Sequence, residues 1–164
     1  MVQPFKTDGC SAFPDAGLTK HSKSWVHCCI AHDFVYWAGG PQQLRKDADW
    51  ALAQCVNRAV GQSDSDIHSL GVIMWLGVRM GGGAWQFAGG SPLPWRWGYG
   101  WSDAARYRNL EGARRQEAEL ELLRVREQLP QIAHEFQMDA SQTEYVDGQL
   151  YLQIVRLQAP HDIR

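Results

Sequence analysis

The chain has 164 residues, 45% hydrophobic and 21% charged, ordinary globular values that exclude a disordered or collagen-like polymer and leave little room for two full catalytic domains. Its 16 basic residues face 18 acidic ones for a net charge of -2, so no overall field draws it to a polyanion and no nucleic-acid partner is expected. Nothing reaches the roughly 18 to 20 consecutive apolar residues of a membrane-spanning helix, so no transmembrane segment is expected.

The opening residues Met1-Val2-Gln3-Pro4-Phe5-Lys6 lack the apolar stretch of a secretory signal. A signal removed before the numbering, another export route, or no export would each account for that. Cys10, Cys28, Cys29 and Cys55 crowd the first third of the chain. An even set allows three pairings if all are oxidised and points to a secreted or periplasmic location, against the missing signal.

A first helix is expected after Ser24, whose hydroxyl can cap free N–H groups, from Trp25 to about Ala38, with Gly39 and Gly40 as its stop. Pro41 suits the first turn of a second helix that runs to Gly61. The two form a helical hairpin. At about 100° per residue, Cys29, His32, Asp33 and Tyr36 share one stripe of the first helix. Burying a His or an Asp without a partner costs several kcal/mol, so a partner is expected on the second helix. There Asp49 lies with Leu52, Ala53 and Val56 on an apolar face, whereas Asp47 lies with Ala51, Gln54 and Arg58 on a more polar one. Asp49 is therefore the carboxylate directed inward, and Asp47 is solvated.

From Gln62 to about Trp101 the chain is rich in Gly and Trp. The run from Leu70 to Val78 and the tryptophans after it fit either core or a surface that meets lipid, where Trp favours the headgroup level. Asp103 to Gln128 reads as a long charged helix ended by Pro130. Leu110, Ala113, Leu120, Leu123 and Val125 make its loose apolar stripe, and Arg114, Arg115, Glu117 and Glu119 its solvated face. That stripe packs on the core or on a partner chain, which makes this helix a candidate for oligomer contact. Asp147-Gly148 is a turn signal before the strand-like Leu150 to Val155, the second arm of a short β hairpin. The expected fold is mainly α, with a domain over 1–102 (core 8–61, Gly/Trp-rich extension 62–102) and a C-terminal helix and tail over 103–164.

Three segments carry the chemistry: Asp8-Gly9-Cys10-Ser11, Cys28-Cys29-Ile30-Ala31-His32-Asp33-Phe34-Val35-Tyr36, and Ala48-Asp49-Trp50-Ala51-Leu52-Ala53-Gln54-Cys55. Together they resemble the catalytic core of the secreted phospholipase A2 superfamily, with its C-C-x-x-H-D-x-x-Y helix and its antiparallel D-x-x-A-A-x-C helix. The resemblance spans residues 8–56, about a third of the chain. It implies that His32 takes a proton from the attacking water, Asp49 fixes the imidazole, Tyr36 supports Asp49 and Asp33 binds calcium. It also implies bridges between Cys10 and Cys29 and between Cys28 and Cys55. The metal loop departs from the glycine-rich C-G-x-G-G of many animal members and looks more like the bacterial and fungal branch. There an Asp before the cysteine gives a second side-chain oxygen, which makes Asp8 a calcium ligand beside the Gly9 carbonyl, with the Ser11 and Phe13 carbonyls as further candidates.

Calcium takes about 6 to 8 oxygen ligands, so two carboxylates with carbonyls and water suit it better than they suit zinc. The resemblance implies a calcium-dependent esterase that cleaves the sn-2 ester of a glycerophospholipid at a membrane surface. Two other readings stand beside it. One is a non-catalytic relative that binds calcium or lipid on the same scaffold. The other is a reduced cytoplasmic metal protein, in which His21, His27, Cys28, Cys29 and His32 hold zinc. Against the zinc site, adjacent cysteines on a helix point about 100° apart and converge poorly on one tetrahedral ion.

Overall fold

The computed structural model describes residues 1–10, 22–83, 96–102 and 107–159. Six helices lie among them: α1 (Ser22–Ala38), α2 (Gln42–Val60), α3 (Leu70–Gly83), α4 (Gly112–Glu127), α5 (Leu129–Glu135) and α6 (Ala140–Gln158). The protein is mainly helical, with no sheet among the described residues. The only extended pairing there is an isolated antiparallel bridge between Val2 and Trp101.

The hairpin of α1 and α2 forms, with small shifts at its ends. α1 starts at Ser22, so Ser24 sits inside the helix rather than at its cap. Gly39, at φ +71°, turns the chain out of the helix while its N–H still reaches the Val35 carbonyl at 2.9 Å. Pro41 is itself the N-cap of α2, one position before the first helical residue. Gly61 closes α2 in the left-handed region, at φ +71°. Both implied disulfides are present: Cys28–Cys55 joins the two helices with Cα atoms 5.7 Å apart, and Cys10–Cys29 ties the N-terminal segment to α1 across 5.3 Å. Two bridges are compatible with an extracellular or periplasmic location.

α1 is apolar on two faces because it lies between two packed groups. Val26, Ile30, Phe34 and Trp37 form one core with Leu110, with Leu122 and Val125 of α4, and with Val146, Leu150 and Ile154 of α6. Trp25, Cys28 and Cys29 form a second core with Leu52, Cys55 and Val56 of α2 and Met74 of α3. Each large side chain buried there contributes roughly 1.5–3 kcal/mol. His32 and Tyr36 continue the second face, one to two turns beyond Cys28 and Cys29, so this packing fixes their place against α2. At the α2–α3 crossing Gly71 has no room for a side chain, since a Cβ there would sit 2.2 Å from the Ala53 carbonyl oxygen.

A tryptophan loop caps the C-terminal end of α1, where helical carbonyls lack intrahelical partners. Gly98 N–H donates to the Tyr36 carbonyl at 2.6 Å, and Gly100 N–H to Trp37 at 3.0 Å. The Trp101 indole N–H reaches the Ala38 carbonyl at 2.9 Å, and that of Trp97 reaches the Gly40 carbonyl at 3.0 Å. Gly100 is required there, because a Cβ would meet Trp37 at 2.6 Å. Trp97 and Trp101 are thus buried core. Pro94 and Trp95 lie outside the described residues.

Three expectations for the C-terminal part need correction. Leu150 to Val155 is not a strand and makes no β hairpin: it lies within α6, where the buried residues Val146, Leu150, Ile154 and Leu157 follow a helical period. A capping box starts that helix, with the Asp139 carboxylate accepting from Gln142 N–H and the Gln142 side chain accepting from Asp139 N–H. Gly148 sits in the helix with open space around it, so the turn signal is overridden by packing. The charged helix is also shorter than Asp103 to Gln128: residues 103–106 lie outside the described set, Tyr107 to Leu110 are not helical, and α4 begins at Gly112 after Glu111 as N-cap. Its buried stripe is Ala118, Leu122 and Val125, while Ala113, Leu120 and Leu123 are exposed. Pro130, finally, stands in the first turn of α5, where its missing N–H has no partner to lose, and starts a helix.

The N-terminal segment is tied along the same core. Val2 N–H donates to Glu117 at 2.7 Å, Phe5 N–H to Glu121 at 2.8 Å, and the Tyr99 hydroxyl to the Lys6 carbonyl at 2.6 Å. These bonds bring Thr7, Asp8 and Gly9 to the side of α1 that carries Asp33.

Candidate active site

His32 and Asp49 meet across the hairpin, with Nε2 of the imidazole 2.8 Å from Oδ1 of the carboxylate. Asp49 is fully buried and His32 nearly so. The Tyr36 hydroxyl, one turn beyond His32, donates to the same oxygen at 2.7 Å, and its ring lies 4.2 Å from the imidazole. Burial alone would raise the Asp49 carboxyl. The hydrogen bonds from His32, Tyr36 and Arg79 outweigh it and hold the group below the ordinary carboxylate range. An ionised carboxylate can only accept, so Nε2 of His32 carries a proton, and whenever the ring has one proton Nδ1 keeps a bare lone pair. Burial, reinforced by the Asp49 charge, pushes the Tyr36 hydroxyl up, and it stays a donor at neutral pH. Asp47 is exposed and bonded to Gln43 at 2.8 Å, as its polar face implies.

Two arginines complete the surroundings of Asp49. Arg79 of α3 donates Nη1 to Oδ2 at 2.9 Å. Arg45, one turn before Asp49 on α2 and 1% exposed, lies 3.9 Å from the same oxygen. Arg45 donates Nε to the Tyr36 hydroxyl at 3.0 Å, Nη1 to the Tyr107 hydroxyl at 2.8 Å, and Nη2 to the carbonyls of Val78 and Arg79 at 3.0 and 3.2 Å. Sequence reasoning passed over Arg45 although its i,i+4 spacing to Asp49 is visible in the chain. Arg79 and Tyr107 are placed by tertiary packing and carry no local signal.

Asp33 follows His32 on α1 and faces the N-terminal segment. Its Oδ2 accepts from the Thr7 hydroxyl at 2.6 Å, and that hydroxyl accepts from Gly9 N–H at 3.1 Å. Burial, with the Asp8 charge adding to it, pushes the Asp33 carboxyl well above its usual range, and the Thr7 bond offsets only part of the rise. Tyr99 is pushed up in turn by burial and by the charges of both Asp33 and Asp8. The Asp8 charge thus acts on Asp33, and both act on the same tyrosine. Gly9 is buried at φ +74°, and an added Cβ would press on Val26 and Phe136, so the backbone is packed closely against the core here. Carboxyl and backbone carbonyl oxygens are hard donors, the ligand type that calcium takes rather than zinc. Ser11 and Phe13 lie outside the described residues.

His27, Cys28 and Cys55 also come together, with ligand atoms within 4.8 Å of one another. Both sulfurs are spent in the Cys28–Cys55 bridge and no cysteine is free, so the thiolates that zinc takes are missing. His21 lies outside the described residues. A cavity of about 180 Å³ flanks the imidazole between α1, α2 and α6, walled in part by Ala31, His32, Val35, Leu44 and Leu152. Asp33 is not part of its wall, so this cavity does not join the two halves of the site.

No family model, curated protein or solved structure matches this chain. The site holds an imidazole bonded through Nε2 to a buried anion, and the next residue along α1 carries a carboxyl group that faces the N-terminal segment.

Proposed function

We propose that the protein is a calcium-dependent hydrolase that cleaves the sn-2 ester of glycerophospholipids, with water as the nucleophile. The observation that carries this reading is the 2.8 Å contact between His32 Nε2 and a buried, ionised Asp49, which leaves Nδ1 as a base. His32 Nδ1 takes a proton from water as the oxygen attacks the ester carbonyl, and Asp49 stabilises the imidazolium that forms. The imidazolium then returns the proton to the departing glycerol oxygen as the acyl–oxygen bond breaks. The products are a lysophospholipid and a fatty acid, with no covalent enzyme intermediate. Tyr36 keeps Asp49 turned toward the ring. Asp33 and Asp8, with the Gly9 carbonyl beside them, would hold calcium, which when bound supplies Lewis-acid polarisation of the ester carbonyl and charge for the oxyanion. One helical residue separates base from ligand, about 1.5 Å of rise and 100° of turn, so both can serve one substrate.

A lipid partner is supported by the outer face of α3. Ile73 is 54% exposed, Leu76 52% and Met80 65%, beside Trp50 at 38%, whose ring meets Trp75 edge to face at 6.1 Å. No helix among the described residues is long and apolar enough to cross a membrane, so contact would be made at its surface. Fatty-acid release from phosphatidylcholine vesicles, with calcium and then with excess chelator, tests the reading. Release that stops on chelation and returns with added calcium is expected, and release indifferent to chelation contradicts it. Ile73→Glu with Leu76→Glu should lower vesicle hydrolysis about tenfold or more while short-chain monomeric phospholipid is cleaved nearly as before, since each buried apolar side chain is worth roughly 1.5–3 kcal/mol. Equal losses on both substrates would remove the lipid surface from α3.

A further inference from the structure

We propose that Arg79 is a positioning residue of the His32–Asp49 pair, a role that rests on the hydrolytic reading above. The bonds to Asp49 are divided between its two oxygens. Oδ1 accepts from His32 and Tyr36, at 2.8 and 2.7 Å, and Oδ2 accepts from Arg79 at 2.9 Å. A carboxylate held through one oxygen can turn about its Cβ–Cγ bond and lose alignment with the ring. A donor fixed on the second oxygen removes that rotation, and alignment is what a general base needs.

The donor is itself held in place. Arg45 locates the backbone that carries Arg79 by donating to the carbonyls of Val78 and Arg79, and its Nε bonds the Tyr36 hydroxyl. The contacts close on themselves: Arg45 to Tyr36, Tyr36 to Asp49, Asp49 to Arg79, and through the α3 backbone to Arg45 again. Helices α1, α2 and α3 each contribute at least one member, so the orientation of one carboxylate is set by the relative placement of three helices. Arg79 reaches solvent, with 22% of its side chain exposed, whereas Asp49 has none. Arg79→Met leaves the buried carboxylate to His32, Tyr36 and Arg45, so folding is measured beside activity.

The test uses the full chain with Arg79→Met and Arg79→Lys, assayed on monomeric phospholipid with calcium and followed by proton NMR of the His32 Nε2–H, identified by its loss in His32→Gln. For Arg79→Met, kcat should fall about 10- to 100-fold with KM within about twofold, the size of loss expected when a partner that orients a functional group is removed. The Nε2–H signal should broaden or vanish as the bond to Asp49 loosens. Arg79→Lys, which keeps a cationic donor, should retain the signal and recover most of kcat. A folded Arg79→Met protein with wild-type kcat and an unchanged Nε2–H signal would overturn the assignment. Should Arg79→Met not fold, Arg79→Gln carries the same two measurements with the same expected and contrary results. A wild-type protein inert toward phospholipid would remove the hydrolytic reading, and the NMR comparison alone would still decide whether Arg79 orients the pair.

Discussion

Asp49→Asn should lower phospholipid hydrolysis by about 10⁴-fold, the loss expected when the acid of a hydrolytic triad becomes an amide. The amide can offer N–H to His32 Nε2, which drives the ring to the other tautomer and puts the proton on Nδ1, where the lone pair is needed. Activity and stability should fall together. The buried carboxylate meets Arg79 at 2.9 Å and lies 3.9 Å from Arg45. Removing one partner of a buried pair costs about 3–5 kcal/mol, and the solvent access of Arg79 places this case near the lower end. Urea unfolding with kcat measured on the same samples separates the two effects. The pH dependence has a definite sign. The Asp49 carboxyl is held below its ordinary value in the folded state. Its contribution is therefore complete above the ordinary carboxylate range and is lost as pH falls through the folded value. Asp49→Asn should lack that part of the acid destabilisation.

The second large effect concerns the bridge between the helices. Replacing Cys28 and Cys55 by serine frees a loop with a sequence separation of 27. Loop-closure entropy for that length gives a loss of about 3–4 kcal/mol. Cys28 lies one turn before His32, so the same change should loosen the dyad and lower kcat even where the protein stays folded. Serines at Cys10 and Cys29 should act differently. That bridge anchors the segment with Thr7, Asp8 and Gly9 beside Asp33, and its loss should raise the calcium concentration needed for activity more than it lowers the maximal rate. Denaturant unfolding and calcium titrations of the two double variants decide this. Matching profiles would mean that the bridges do not separate base from cation site.

What was legible in the sequence follows from how local each signal is. The hairpin was readable because Gly39-Gly40-Pro41 and Gly61 punctuate it and because a 3.6-residue period places Asp49 on the buried face. His32, Tyr36 and Asp49 could be brought together from spacing and resemblance, since two antiparallel helices in register leave little freedom. The C-terminal part misled for the opposite reason. Leu150 to Val155 is rich in the residues strands favour, and Asp147-Gly148 imitates a turn. The Asp139/Gln142 capping box, eight or more residues upstream, holds the helical signal, and burial against α1 and α4 decides the contest. The tryptophan run was ambiguous because an indole suits both a core and a membrane surface. Only the carbonyls left over at the end of α1 explain why Trp101 is inside. Arg79 and Tyr107 reach the site from distant helix and loop positions, and no window of sequence contains both them and Asp49.

We propose that His32, oriented by Asp49, activates water against the sn-2 ester. The most direct measurement is release of a fatty acid labelled at sn-2 from a phospholipid carrying a different chain at sn-1, in calcium, by the wild-type protein and by His32→Ala. Release of the sn-2 chain alone, reduced at least about 10³-fold by the substitution, is the expected result. Release by His32→Ala at the wild-type rate, or of the sn-1 chain in equal measure, would contradict it.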